Sequence, residues 1–242
     1  MSKMTTRAEV FLFVYNKIDR FMRKELNKDE RISHTELIDM ISKKNKLFNK
    51  NNGHLKSFAR LRNAIVHESY NIAEPIAEPH EEIITQYKNI MNKVMEPDKA
   101  LDTVAVQANN IFTANLEDDA LEVMKKMQQN TFTHVPVLEN NKLIGIFSEN
   151  TIFSYIVDNE ALLLGDEIKI KEFEKFIPLD MHESEIFKFV SKDKLLYEVE
   201  DMFEEELRDN KRLSVIFITE AGKTTEKILG MITAWDIAGY KE

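Results

Sequence analysis

The chain has 242 residues, of which 43% are hydrophobic and 31% charged, with five prolines and six glycines, a composition that excludes collagen-like and low-complexity chains. It contains no cysteine, so disulfides, thiolate metal centres and cysteine nucleophiles are excluded outright. The formal net charge of -9 is unevenly spread: residues 1–100 carry 18 basic and 14 acidic groups, residues 101–242 carry 15 and 28, and residues 1–66 alone carry 15 and 7. A basic head therefore precedes an acidic body, and each needs its own reading. No run of about 18 apolar residues exists to cross a bilayer, so no membrane partner is expected. Residues Met1 to Glu9 lack the apolar core of a signal peptide, which makes the cytoplasm the expected compartment.

The first hundred residues read as helices. Phe11, Val14, Ile18, Phe21 and Leu26 recur at three- to five-residue steps and predict a helix burying one stripe. Ser33-His34-Thr35-Glu36 has the form of a capping box, and Leu37, Met40, Ile41 and Leu47 continue the helix it opens. After the turn at Asn51-Asn52-Gly53, residues 54–68 predict a third helix with Leu55, Phe58, Leu61 and Ile65 inside. The repeat Ile72 to Pro75 and Ile76 to Pro79 interrupts helix, which resumes over 81–95. Nothing in this half has the alternation of a strand, and the expected all-α domain spans residues 1–97.

Within the third helix, Asn63 and His67 stand at i and i+4 with Arg62 one step round, away from Leu61 and Ile65. The Arg-Asn-x-x-x-His spacing in a small helical bundle, over about residues 5–95, resembles the HEPN family (higher eukaryotes and prokaryotes nucleotide-binding). Many members of that family are metal-independent ribonucleases that act as dimers. The resemblance implies Arg62, Asn63 and His67 as candidate catalytic residues and RNA as a candidate partner. The chemistry suits them: an imidazole exchanges protons near neutral pH, and a guanidinium fork neutralises phosphate oxygens. One histidine cannot easily be acid and base together, so a homodimer pairing two motifs is expected. The bland alternative is a polar network at a helix contact, with Lys43, Lys44 and Lys46 a solvated helix end.

Past Pro97 the pattern changes and repeats itself. Leu143 to Ser148 (LIGIFS) matches Ile228 to Thr233 (ILGMIT), and Leu116 to Met127 matches Ser191 to Met202 ten residues less far along. The difference falls on the longer turn Glu220 to Glu226. Each copy reads as short strand, helix, hairpin, helix, with hairpins Val135 to Leu138 with Leu143 to Phe147 and Leu213 to Ile218 with Ile228 to Ile232. Copies of about sixty residues bury too little apolar surface alone, so the two should pack together.

These residues resemble a pair of cystathionine-β-synthase (CBS) domains, a Bateman module. His134-Val135-Pro136-Val137 with Gly145 carries the likeness in the first copy, and Gly230 to Asp236 (GMITAWD) carries it in the second. The implied fold class is α+β multidomain, an all-α bundle followed by a tandem CBS pair over 101–242, with copies at about 104–160 and 175–242. Thr233 is the expected N-cap of the last helix, where free backbone N–H groups and the positive end of the dipole make a natural place for a phosphate, and Asp236 offers two oxygens to a ribose. Val215 and Phe217 are candidates to hold an adenine, and Ser148 and Pro136 belong to the first copy's candidate binding surface. The resemblance implies AMP, ADP, ATP or S-adenosylmethionine as a regulatory ligand, with no cofactor required. Thr233 and Asp236 serve equally well as a plain capping box.

The first copy has Thr151 where the ribose-binding aspartate should stand, so one competent site and one weak or empty site are expected, with Asn150 a minority substitute. His134 and His182 read as far apart, with no ligand-spaced carboxylates, so no metal site is expected. Glu204-Glu205-Glu206 after Asp201 reads as a solvated face, and Trp235 as packing or as a ligand-stacking ring. The expected function is ligand sensing by the body that gates an RNA-cleaving or RNA-binding head. The alternatives are a non-enzymatic sensor with a helical dimerisation or docking head, and a CBS pair that has lost its ligand.

Overall fold

The computed structural model describes residues 6–67, 75, 77–159, 168–205, 207–208 and 211–240. The chain divides into two compact units, Met1–Pro97 and Asp98–Glu242.

The first unit is built from α1 (Arg7–Leu26), α2 (His34–Ser42), α3 (Lys46–Lys50), α4 (Asn52–His67) and α5 (Glu81–Met95), with no strand among its described residues. Both N-terminal boundaries are side-chain decisions. Thr6 and Glu9 form a capping box at α1, and at α2 the Ser33 N–H donates to Glu36 at 2.9 Å while the Glu36 N–H donates to the Ser33 hydroxyl at 3.3 Å. Ser33→Ala should therefore cost about 1 kcal/mol, read as a lower midpoint in urea with an unchanged slope. The helix opened at Ser33 does not run on to Leu47. The Asn45 carboxamide accepts from the Leu47 and Phe48 N–H groups at 2.9 and 3.2 Å, capping a new short helix.

The inner stripe of α1 is Ala8, Phe11, Val14, Ile18 and Met22. Phe21, expected in that stripe, is only half-buried and stacks on Phe48 with ring centroids 6.0 Å apart. Phe11, Phe58 and Tyr87 bring α1, α4 and α5 together as one aromatic group, with Phe58 and Tyr87 4.3 Å apart. Half of the repeat at Ile72 to Pro79, residues 72–74 and 76, falls outside the described residues.

The second unit contains the internal repeat. Its first copy is α7 (Ala120–Asn130), β2 (His134–Glu139), β3 (Lys142–Ser148) and α8 (Glu149–Asn159), preceded by α6 (Ala100–Thr103) and β1 (Val106–Gln107). Its second copy is β4 (Glu185–Ser191), α9 (Leu196–Glu205), β5 (Leu207–Arg208), β6 (Lys211–Thr219), β7 (Gly230–Thr233) and α10 (Ala234–Gly239). The β2–β3 hairpin turns on Asn140 and Asn141, both at positive φ, the conformation that matches strand twist in a two-residue turn.

The two sheets are not two self-contained copies. β2 pairs with β3 and, through a single parallel bridge at Val137, with Ala114, while β1, β7, β6 and β4 lie side by side in that order, with β5 on β6. β1 precedes the first copy yet pairs antiparallel with β7 of the second, Val106 opposite Met231. Ala100 and Val104 likewise join the second copy's core of Val199, Ile216 and Ile232. The exchange is reciprocal: Ile170, Phe173 and Ile177, which precede the second copy, pack into the first copy's core against Val123, Val135 and Phe147. Each lead-in segment thus completes the other copy. A third cluster of Ile146, Val215, Phe217 and Ile228 fills the space between them.

The repeated glycines mark where those lead-ins cross. A Cβ on Gly145 would overlap the Ile177 carbonyl, the group that accepts from the Ile146 N–H at 2.8 Å. One on Gly230 would come within 2.9 Å of Leu101 Cδ1 and 3.2 Å of Ala105 Cβ.

Candidate functional site

α7 ends at Thr131, which takes a left-handed conformation at φ 58 and turns the chain into β2. This turn faces the β1–β7 edge and the start of α10 across a cleft of about 590 Å³, a size typical of small-molecule sites. Its walls come from both copies: Ile111 and Phe112 after β1, Asn130 to His134, and Met231, Thr233, Trp235 and Asp236. Phe112 and Phe132 stack with centroids 6.0 Å apart, and Trp235 is 80% exposed at the rim.

Thr233 and Asp236 do form a capping interaction. Asp236 Oδ2 accepts from both the Thr233 N–H and the Thr233 hydroxyl at 2.7 Å. Both bonds use one carboxylate oxygen. No hydrogen bond to Oδ1 occurs among the described residues, so the cap and a ligand contact are compatible. Val215 and Phe217 do not reach the cleft: both are fully buried in the cluster between the copies. Pro136 is buried in β2. The aromatic surface available to a base is instead Phe112, Phe132 and Trp235; Trp235 was a candidate from sequence, whereas Phe112 and Phe132 lie outside the repeated motif and were missed.

The first copy's equivalent position is closed. Ser148 and Thr151 are 1% and 2% exposed, and the Thr151 hydroxyl lies 3.1 Å from the Ser148 N–H and donates to the Ile146 carbonyl at 3.1 Å. Asn150 donates to the Ser184 hydroxyl at 3.3 Å.

The expectation that His134 and His182 lie apart is corrected by Glu185. This carboxylate, 4% exposed, accepts from His134 Nε2 through one oxygen and from His182 Nδ1 through the other, both at 2.7 Å. Ser148 adds a hydrogen bond at 3.3 Å. Burial alone would raise the Glu185 pKa, but the hydrogen bonds from the two imidazoles outweigh it and hold the carboxyl far below its ordinary range. A glutamate opening a strand whose other residues are apolar except Lys188 (EIFKFV), three residues after a histidine, was the sequence signal for this cluster. Among the described residues no group of three histidine or carboxylate side chains is arranged to hold a metal ion. Asp201 is buried, unlike the exposed Glu204 that follows it.

In the helical unit, Arg62 is half-buried, with its guanidinium carbon 5.3 Å from the centre of the Tyr15 ring and Nη1 3.4 Å from Asn63 Oδ1. Tyr15 stacks on His34 at 4.0 Å, and His34 Nδ1 lies 2.8 Å from Asp19, which also pairs with Arg23 at 2.6 Å. Asn63 is exposed. His67 is the last residue of α4, and its side chain lies outside the described residues.

Residues 105–158 match the family model described as "CBS domain". This segment is a CBS domain. The matched segment takes in the lead-in strand β1 together with α7, the β2–β3 hairpin and most of α8 of the first copy, and hence one wall of the cleft. Similar solved structures include a CBS domain protein from Streptococcus pneumoniae TIGR4, 19% identical, covering 57% of this chain and 78% of that one with a TM-score of 0.40. Others are CBSX2 in complex with AMP (12% identity, 58% and 93% coverage, TM-score 0.41) and CbpB in complex with c-di-AMP (16%, 62% and 87%, 0.43). No curated protein matches the sequence. No described helix is long and apolar enough to cross a membrane.

Proposed function

We propose that residues 101–242 act as a CBS pair sensing an adenosine-containing ligand, AMP, ADP, ATP or S-adenosylmethionine, in the Asp236 cleft. The observation that carries this reading is that Thr233 and Asp236 line a cleft whose opposite wall belongs to the CBS domain, so that one ligand touches both copies. Asp236 Oδ1 accepts a ribose hydroxyl while Oδ2 keeps the cap, and Phe112, Phe132 and Trp235 take the base. The sealed Ser148–Thr151 position supports a single competent site. A ligand bound only by the folded state raises stability by mass action, about 2.7 kcal/mol at a hundredfold excess over Kd, or roughly 5–10 °C in melting temperature. A thermal-shift panel of the four ligands tests this. Asp236→Ala should abolish the shift, and an unchanged shift in that variant rejects the assignment.

The ligand state in turn gates residues 1–97, a HEPN-like head that binds or cleaves RNA without metal in a cytoplasmic homodimer. The basic excess of residues 1–66 and the Arg62-Asn63-x-x-x-His67 spacing support this part. Coupling requires the ligand to favour one arrangement of the dimer. RNA incubated in chelator with wild type and His67→Ala, with and without the ligands, is the test. Cleavage by wild type alone is expected, and cleavage by neither removes the nuclease. A second reading, a non-enzymatic dimerisation or docking head, is favoured by the packing of Arg62 on Tyr15, which gives that arginine a structural task.

A further inference from the structure

We infer that the Asp236 cleft takes a neutral or cationic purine nucleoside, the class of adenosine and the S-adenosylmethionine sulfonium, in preference to a nucleoside phosphate. The inference rests on the reading of this cleft as an adenosine site. Its first ground is charge. Among the described lining residues there is no lysine or arginine, and the one carboxylate is Asp236. Lys126 stands over the Phe112 ring at 5.3 Å as a cation–π partner and is not part of the lining. The surrounding unit deepens the bias, since residues 101–242 carry 28 acidic groups against 15 basic.

The second ground is the state of the neutral side-chain donors: those of Thr233, Thr131, Asn130 and Thr133 are engaged within the protein, which leaves the Asn110 amide as the remaining one among the described lining residues. The Thr233 N–H and hydroxyl both serve Asp236. The Thr131 hydroxyl donates to the Asn130 carbonyl at 2.6 Å, and the Asn130 amide donates to the Lys126 carbonyl at 2.9 Å. The Thr133 hydroxyl lies 2.8 Å from His134 Nδ1, whose Nε2 is held by Glu185. A phosphate entering this cleft would lose water and gain no cation, only the Asn110 amide and the first-turn N–H groups of a short helix, an unfavourable exchange for a dianion. A purine needs neither, because Phe112, Phe132 and Trp235 offer stacking faces, and aromatic faces also attract a sulfonium.

Trp235 is the chain's single tryptophan and lines the cleft, so its fluorescence reports occupancy. The full chain is titrated at low ionic strength with adenosine, S-adenosylmethionine, AMP and ATP, with equilibrium dialysis as an independent measure of binding. Adenosine and S-adenosylmethionine should bind at least about tenfold more tightly than ATP, and added salt should narrow the gap. AMP or ATP binding as tightly as adenosine overturns the preference while leaving an adenosine site in place. Binding of none of the four by either measure overturns the site itself.

Discussion

Glu185→Ala should destabilise the second unit by about 3–5 kcal/mol, the loss associated with removing a buried carboxylate and orphaning its hydrogen-bond partners. The carboxylate is bonded by imidazoles from two parts of the chain, His134 on β2 of the first copy and His182 just before β4 of the second. Removing it leaves two buried ring nitrogens without their acceptor and opens space beside Ser148. Glu185→Gln keeps the volume and separates the effect of charge from that of packing. The pH dependence follows from the direction of the shift. A carboxyl whose pKa is depressed by folding contributes stability above its unfolded value, near 4.5, and loses that contribution as pH falls toward the folded value. Wild type should therefore be well ahead of Glu185→Gln at pH 7, and the difference should shrink steadily below about pH 4.5. Chemical denaturation at a series of pH values reads this directly. A gap independent of pH would show that the carboxylate's charge does not hold the two copies together.

Gly145→Ala should cost about 3 kcal/mol, at the upper end of overpacking effects. The added methyl would meet the Ile177 backbone, which cannot rotate away as a side chain can, and which is fixed by the hydrogen bond to Ile146. Gly230→Ala is the internal comparison. Its methyl meets Leu101 Cδ1 and Ala105 Cβ, and a leucine terminus can change rotamer. The two glycines hold matching places in the repeat, so equal costs would contradict the crossing described here, while a clearly larger cost at Gly145 is expected from guanidinium unfolding.

Much of this architecture was legible in the residues. The capping boxes at Ser33 and Thr233 are local and depend only on neighbours three positions away, so spacing was enough to find them. The duplicated apolar-Gly-apolar hairpins showed the repeat for the same reason. What spacing could not give was which lead-in serves which copy, because Val106 opposite Met231 and Ile177 beside Ile146 are long-range pairings with no sequence signature. The site divides along the same line. Thr233 and Asp236 lie in the motif and line the cleft, but Val215 and Phe217, chosen because apolar strand residues can hold a ring, sit at fully buried positions. Phe112 and Phe132 emerge only once the turn at Thr131 faces α10. The His134–Glu185–His182 cluster was missed because sequence distance was taken for spatial distance.

The crossing of the lead-in segments sets an order of events for the growing chain. The hairpin of β2 and β3 involves near neighbours and can close as soon as it is made, but β1, made earlier, has no sheet to join until β7 exists. Through that interval Val106 and its flanking apolar residues stay unpaired, and the Ile170 to Ile177 stretch must arrive before the first copy's core is covered. A first copy produced alone should accordingly be prone to association through its uncovered Val135 and Phe147 surface. The repeat reads as two modules along the sequence, but neither copy's core is complete without the other's lead-in.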